Sequence, residues 1–314
     1  MIAAFPGVGW RDFAARNMTF LVLLAVVAAN AVLTPNFATT RNIEITLIQI
    51  VFVALVGTGM TLVIALGGID LSVGAVMGLV SVAVVHLLPY GLGVVLPACL
   101  LTGFAIGLCN GLIVTIFSVQ PLLVTLASVI WVRGLAQVIS GGRKEYFQDP
   151  TLQFVGLGRV FGLPLQVVVT GVIVAIAAYL TRRSLFGRRL AAIGGNRSAS
   201  RLAGLPIAST TIAAYAACSA LAALAGVFVT ARVSSSDPTN FGVLIELDAI
   251  AAAVVGGTAL AGGRANVVGA VVGALLLQLV TAAMIMNNIS FQYSLIAKAA
   301  IILFAVYLQG KRRT

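Results

Sequence analysis

Long apolar runs, separated by short polar or glycine-rich joints, dominate the pattern of residues along the chain. Each run stays apolar for about 20 residues, the length that a helix needs to cross a bilayer. The strands of a membrane barrel would instead alternate over about 10 residues. The pattern therefore predicts an all-α polytopic membrane protein with about ten transmembrane helices. The expected spans are roughly 18–35, 43–66, 72–89, 92–117, 121–140, 164–181, 208–231, 244–261, 265–286 and 290–309.

Composition agrees with a chain that lies mostly in lipid. Hydrophobic residues make up 61% of the 314 residues and charged residues only 9%, whereas a soluble domain carries about 25% charged residues. The net charge of +11 does not indicate a nucleic-acid partner, because the basic residues cluster in joints and at the C-terminus. No joint is long enough for a folded soluble domain, so residues 1–314 are expected to form a single transmembrane domain.

The distribution of Lys and Arg predicts the orientation. With ten spans, one side receives twelve basic residues and the other side five. Cytoplasmic joints carry the excess of Lys and Arg, so the N-terminus, with Arg11 and Arg16, and the C-terminus are both expected to be cytoplasmic. On the other side, the largest joint is 141–163, and a shorter one spans 232–241. These two joints offer the polar surface that an extracytoplasmic partner would need.

The segment 181–206 is the densest basic part of the chain. It reads TRRSLFGRRLAAIGGNRSASRLAGLP and holds six arginines and no acid. Leu190, Ala191, Ile193 and Leu202 give it a small apolar face, and Gly194-Gly195-Asn196 divides it into two short helical pieces. One interpretation is an orientation signal bound to anionic lipid headgroups. The favoured one is a short cytoplasmic helix between spans six and seven that docks onto a partner.

No residues suited to catalysis, metal binding or nucleotide binding stand together in the sequence. The chain has eight acids, one histidine and no cluster with metal-ligand spacing. The phosphate-binding loop GxxxxGK[ST] is absent. We therefore expect a transport chain that is not an enzyme and binds no cofactor or metal. If ATP drives it, ATP and magnesium bind to a partner chain.

Polar residues within or beside the spans are few, and each is costly in lipid. Asp70, with Ser72 behind it, is interpreted first as a cap at the start of span three and second as a gating contact. Asn110 and Gln278 have no capping position, so they face a polar conduit or bond across helices. Arg133 and Lys298 are expected to snorkel or to pair with acids such as Glu246 and Asp248.

Glycines recur at helical spacing and in one internal echo. Gly103-x3-Gly107-x3-Gly111 and Gly269-x3-Gly273 predict close contact between helices. The sequence around Gly67-Gly68 is echoed around Gly262-Gly263, each pair followed, after four intervening residues, by VGAV. Duplication and chance both remain open as explanations of this echo.

Four stretches together resemble a known family. They are GMTLVIALGGIDLSVGAVMGL at 59–79, NGLIVTIFSVQPLLVTLASVIWVRGLAQVISGG at 110–142, GRRLAAIGGNRSASRLAGL at 187–205, and LDAIAAAVVGGTALAGGRANVVGAVVGAL at 247–275. The chain is similar, over nearly its whole length, to the permease subunits of bacterial ATP-binding-cassette (ABC) importers for sugars, the ribose, xylose, galactofuranose and autoinducer-2 group.

The resemblance implies a place in a larger assembly of the bacterial inner membrane. Two permease chains, identical or different, would form the translocation path, two ATPase subunits would sit beneath them, and a periplasmic sugar-binding protein would dock above. The matching loop implies contact with the ATPase for Gly187, Arg188, Gly194, Asn196, Arg201 and Gly204. The expected residues of the path or gate are Asp70, Ser72, Asn110, Gln120, Thr125, Arg133 and Gln278.

Two alternatives remain. A branched-chain amino-acid ABC permease is the nearest one, and the Gly-Ile-Asp-Leu-Ser signature at 68–72 favours sugars over it. An ion-coupled secondary carrier belongs to a different class and would need acids at mid-membrane. The acids of this chain stand at the ends of the predicted spans instead.

Overall fold

The computed structural model describes residues 18–311, with side chains described from residue 19 to residue 307. The predicted cytoplasmic termini, with Arg11, Arg16, Arg312 and Arg313, lie outside the described residues. The helices are α1 Met18–Leu33, α2 Thr40–Ala65, α3 Val73–Leu87, α4 Leu92–Ile116, α5 Pro121–Ser140, α6 Pro150–Leu157, α7 Leu165–Arg183, α8 Leu185–Gly195, α9 Arg197–Leu202, α10 Ile207–Val233, α11 Ile245–Val255, α12 Val267–Met286 and α13 Phe291–Lys311. A single 3₁₀ turn, Leu88–Tyr90, extends α3.

Most of the predicted spans are present as helices. Seven helical segments of the described part are long and apolar enough to cross a bilayer, namely α2, α3 with its 3₁₀ turn, α4, α5, α7, α10 and α12. Two predicted spans, the first and the last, correspond to the shorter apolar helices Thr19–Leu33 and Phe291–Tyr307. A mostly helical, polytopic architecture is therefore confirmed, with seven candidate spans in the described part of the chain.

The eighth predicted span, 244–261, is only partly helical. Helix α11 has 11 residues, which is about 16 Å at 1.5 Å per residue, roughly half of the hydrocarbon thickness. It ends at Val255 with Gly256 as its C-cap, because the chain turns at Gly257 with a φ of 90°, a left-handed conformation that favours glycine. Gly256 itself lies against the backbone of Gly269, so there is no space for a side chain there. Ten full-length transmembrane helices are therefore not what the sequence forms.

The stretch before α11, residues 237–244, is non-helical and consists mostly of turns. Along this stretch, Asp237 N donates to Ser81 Oγ at 3.3 Å, and the Gly242 backbone then packs against Gly74. The stretch thus runs antiparallel to α3, towards the start of that helix. Non-helical backbone at membrane depth is tolerated where protein buries it, and Asp237 is only 8% exposed.

Helix α10 is the centre of the bundle and packs against α2, α3 and α4. The predicted glycine row of α4 lies on it: a β-carbon built at Gly111 would come within 2.7 Å of the Ile212 Cα, and those at Gly103 and Gly107 would also meet the α10 backbone. Gly269 and Gly273 approach the backbone of α11 and of Gly256 in the same way. The glycine rows therefore serve close helix packing, as predicted.

The two joints at the far end of the bundle from the arginine segment pair with each other. Strand β1, Glu145–Tyr146, pairs antiparallel with β4, Ser235–Ser236, while β2, Arg159–Val160, forms a hairpin with β3, Leu163–Pro164. The joint 141–163 also contains α6, whose Leu152 is fully buried. This joint is thus a folded cap on the bundle rather than an open loop.

Candidate functional site

The arginine segment, residues 181–206, forms the two short helices α8 and α9. Ser184 caps α8 by accepting a hydrogen bond from Gly187 N at 3.4 Å. Asn196 caps α9 by accepting one from Ala199 N at 2.9 Å. Both caps are local interactions of the preferred residue types. The predicted break at Gly194-Gly195-Asn196 is therefore confirmed.

One side of the arginine segment is held against the chain's own bundle. Leu190 and Ile193 are 0% and 2% exposed, and Gly187 is buried against the backbone of Thr181. Leu202, in contrast, is 91% exposed, and Ala191 is exposed too. The predicted apolar face is thus divided: its α8 part packs internally, and Leu202 on α9 faces outward.

The other side of the segment carries its charge. Five of the six arginines are exposed and Arg189 is half-buried. Within the part of the chain whose side chains are described, the ion pairs are Arg159–Glu44 and Lys298–Asp248, so none of the six pairs with an acid. The arginine segment therefore presents uncompensated positive charge on a surface fixed by its own buried side. The exposed arginines are Arg182, Arg183, Arg188, Arg197 and Arg201.

A glycine junction joins the arginine segment to both halves of the internal echo. We define it as Gly67, Gly194, Gly262 and Gly263 around the carbonyl group of Ala65. Gly263 N donates to Ala65 O at 2.9 Å, and a β-carbon at Gly194 would overlap that carbonyl oxygen. A movement of α8 would therefore press directly on the turn after α2 and on the turn before α12.

A polar chain begins in the same turn after α2 and reaches deep into the bundle. It consists of Asp70, Ser72, Asn110, Ser128 and Ser219, all of them buried. Ser72 Oγ donates to Asp70 Oδ1 at 2.6 Å and accepts from Asn110 Nδ2 at 3.0 Å. Ser128 Oγ donates to Asn110 Oδ1 at 2.5 Å, and Ser219 Oγ donates to Asp70 Oδ2 at 3.2 Å. The chain thus connects the turn to α4, α5 and α10.

The carboxylate of Asp70 is the acceptor at the end of this polar chain. It is 0% exposed, and no described Lys or Arg forms an ion pair with it. Desolvation by burial raises the pKa of the Asp70 carboxyl, while the hydrogen bonds from Ser72 and Ser219 act in the lowering direction. Its bond to Ser72 N, at 3.0 Å, closes a local turn before α3, and the N-cap of α3, Ser72, has no side-chain capping bond. The bonds from Ser219 to Asp70 and from Asn110 to Ser72 come from other helices, so they are not part of a helix cap.

The remaining residues expected in the path are spread over the bundle. Thr125 lies beside the polar chain and donates to Ile69 O at 3.3 Å. Gln120 is exposed at the start of α5. Gln278 bonds across helices to Gln49 at 2.5 Å, so it joins α12 to α2, away from Asp70.

Arg133 is found at a different place from the polar chain. Its Nη1 donates to the carbonyls of Pro238, Thr239 and Phe241 at 3.0, 3.2 and 2.9 Å. It therefore supplies the donors that the non-helical stretch before α11 lacks. Lys298, the other intramembrane cation, pairs with Asp248 at 3.1 Å, one of the acids named as its partner from the sequence.

Several residues of the site were not predicted from the sequence. Ser128 and Ser219 stand within apolar runs, where serine is a common packing residue. Trp131 Nε1 donates to Ser128 Oγ at 3.3 Å. The Tyr215 hydroxyl is buried without a described partner and lies next to Gly68. A signal was present for Ser128, because it follows Thr125 by three residues and shares its helix face.

Removing the carboxylate should destabilise the protein more than removing one of its donors. In Asp70→Ala, the Ser72 N–H and two hydroxyl groups lose their acceptor, at about 1–3 kcal/mol for each buried group left unpaired. In Ser219→Ala, only one long hydrogen bond is lost. We expect the melting temperature in detergent to fall clearly for Asp70→Ala and slightly for Ser219→Ala. Equal melting temperatures for the two variants would contradict the central position of Asp70.

Comparison with known proteins gives a family match over most of the chain. Residues 42–306 match the family described as branched-chain amino acid transport system / permease component. The matched region includes the polar chain, the glycine junction and the arginine segment. No solved structure shows significant similarity to the chain.

Similar characterised proteins are sugar permeases by name. The ribose import permease protein RbsC of Haemophilus influenzae is 37% identical, over 94% of this chain and 93% of its own. The galactofuranose transporter permease protein YtfT of Escherichia coli is 37% identical, over 83% of this chain and 77% of its own. The L-arabinose ABC transporter permease protein AraH of Azospirillum brasilense is 33% identical, over 94% of this chain and 87% of its own.

Proposed function

The chain belongs to the branched-chain amino acid transport system / permease component family of multi-pass inner-membrane proteins, and from this premise we propose that it is the permease subunit of a sugar importer driven by ATP hydrolysis in a separate subunit. The observation that carries the proposal is the 37% identity to a ribose import permease over 94% of the chain. Similar proteins named for galactofuranose and arabinose support a sugar as the cargo class. The family description itself keeps a branched-chain amino acid as the second candidate cargo.

The arrangement of the arginine segment supports a partner that supplies the energy. Uncompensated, exposed arginines on a rigidly held surface suit an acidic groove on a cytoplasmic ATPase subunit. The side of α8 that packs on the bundle would pass a displacement to the glycine junction. The turns on either side of the junction lead into α3 and α12, so these helices would move with it.

The scarcity of polar groups along the spans suits delivery by a binding protein. A sugar carries many hydroxyl groups, and leaving them without hydrogen bonds in an apolar passage is costly. A periplasmic sugar-binding protein would provide the affinity, and a weak passage between two permease chains would then suffice. ATP binding and hydrolysis would shift the population between inward and outward openings by differential binding.

Reconstitution tests the proposal directly. The chain would be placed in liposomes with its ATPase subunit, and uptake of ribose, arabinose, galactose and leucine would be measured with the matching binding proteins outside. We expect ATP-dependent uptake of a sugar and stimulation of ATP hydrolysis by the loaded binding protein. Uptake of leucine alone would indicate the amino-acid alternative. Sugar uptake by the chain alone, driven by a proton or sodium gradient, would indicate a secondary carrier.

A further inference from the structure

The polar chain ends at a tryptophan that is half-exposed in the middle of α5. Trp131 is 46% exposed, and it lies about 15 Å from either end of α5 at 1.5 Å per residue. Tryptophans that anchor a protein in lipid are enriched at the two membrane interfaces, not at the centre. The position of Trp131 is therefore not that of an interfacial anchor.

From Trp131 to Asp70, each hydrogen bond of the polar chain has its donor on the Trp131 side and its acceptor on the Asp70 side. The indole N–H of Trp131 donates to Ser128 Oγ, which donates to Asn110 Oδ1. The Asn110 amide donates to Ser72 Oγ, which donates to the carboxylate of Asp70. An ionised carboxylate only accepts, so it sets the direction of each bond before it. The ring of Trp131 is thus anchored by a connected network rather than by packing alone.

Small residues stand beside the ring along one edge of its helix face, and Leu135, four residues after it, is 41% exposed on the other. Ala127, four residues before Trp131, is exposed, and Gly134, three residues after it, lies on the same helix face. A β-carbon at Gly134 would meet nothing within 4 Å. Glycine inside a helix costs roughly 0.5–1 kcal/mol relative to alanine, and here no contact within the chain requires it. The result is a notch beside a fixed aromatic ring.

We propose that Trp131, with the notch at Gly134, is a stacking site for the sugar ring in the translocation path. The inference rests on the proposed sugar transport and names the contact that the passage offers. The apolar C–H face of a sugar ring fits the face of an indole, as in other small-ligand sites lined by aromatic groups. A single stacking contact is weak, which suits a site that must also release the sugar.

Fluorescence quenching tests whether the indole faces the path or the lipid. The chain has two tryptophans, so Trp10→Phe leaves Trp131 as the single tryptophan of this chain, and the partner subunits of the complex in liposomes carry Phe in place of their own tryptophans. We expect acrylamide, which enters water-filled spaces, to quench Trp131 more than lipids with brominated acyl chains do. The lipid-facing reference is Ile176→Trp in a Trp10→Phe, Trp131→Phe background, because Ile176 lies on α7, a peripheral span of which only 11% is buried within the chain. Bromolipid quenching equal to this reference overturns the proposal, and so does quenching by neither agent.

Uptake provides the second readout. With the binding protein setting the apparent KM, Trp131→Ala should lower the maximal rate of uptake of the transported sugar by about tenfold at unchanged KM, and Trp131→Phe should restore most of it. Ile176→Ala is the matched control and should transport at the wild-type rate. If Trp131→Ala takes up the sugar at the wild-type rate, the stacking site is overturned, and the proposed function is not. If the wild-type complex takes up no sugar, the proposed function fails, and the quenching result still decides which surface Trp131 faces.

Discussion

Replacing Arg188 and Arg201 together by Glu is expected to abolish sugar uptake while leaving membrane insertion intact. Both side chains are exposed, and neither forms an ion pair within the described part of the chain. Insertion and folding therefore do not depend on them. Placing like charges opposite each other in an interface costs several kcal/mol, and 1.4 kcal/mol is a factor of ten. Two reversals should lower uptake by more than about 100-fold.

The experiment compares the single variants Arg188→Glu and Arg201→Glu and the double variant with Arg41→Glu, the control. Arg41 is exposed and lies outside both the arginine segment and the two joints that could meet an extracytoplasmic partner, so Arg41→Glu matches the charge change of each single variant. Uptake, ATP hydrolysis by the complex and the amount of chain in the membrane are measured for all four. We expect the control to transport normally. Coupled uptake by the Arg188→Glu, Arg201→Glu variant would show that the arginine segment does not dock.

The second large effect is expected at the glycine junction, where two neighbouring glycines differ. In Gly194→Ala, the new methyl group would overlap the carbonyl oxygen of Ala65. Overpacking of this kind costs typically 1–3 kcal/mol, and it would push α8 away from the turn after α2. We expect ATP-driven uptake to fall by at least about tenfold, since 1.4 kcal/mol is a factor of ten.

Gly195→Ala is the matched control, because a β-carbon there would meet nothing within 4 Å. It should keep both uptake and melting temperature. Uptake and ATP hydrolysis measured together separate the possible outcomes. If Gly194→Ala hydrolyses ATP but transports little, the junction transmits the movement. If Gly194→Ala transports like Gly195→Ala, the junction has no part in coupling.

Local and compositional features of the fold were predictable from the sequence. The long helices follow from the length of the apolar runs. The break between α8 and α9 follows from Gly194, Gly195 and Asn196, because a capping residue acts on its near neighbours. The close approach of α4 to α10 follows from the row Gly103, Gly107 and Gly111.

The early end of α11 was not predictable in the same way. The expected span 244–261 is helical from Ile245 to Val255 and wrong only in its last turns, because the chain turns at Gly257 with a φ of 90°. Hydropathy does not show such a turn within an apolar run. The contacts of Arg133 with the turns before α11 were not predictable either, because they join residues more than 100 positions apart in sequence.

The polar chain was predictable only in part, because its contacts are non-local. The bond from Ser72 N to Asp70 is local, but it lies one turn ahead of α3, whose N-cap Ser72 has no side-chain capping bond, so the expected cap is not formed. Ser219 lies 149 residues from Asp70, and nothing near either residue in the sequence indicates the other. Likewise, the amphipathic pattern grouped Leu190 and Ile193 with Leu202 on one apolar face, and it could not show that the first two pack against the chain's own bundle while Leu202 stays exposed.

The most direct test of the account is photo-crosslinking from the exposed end of α9. A photoreactive amino acid replaces Leu202, which is 91% exposed, in membranes that contain the complete importer. The account predicts a crosslink to the ATPase subunit that changes in yield when ATP is bound. A crosslink to lipid only, or labelling of this position by a reagent confined to the periplasmic side, would contradict it.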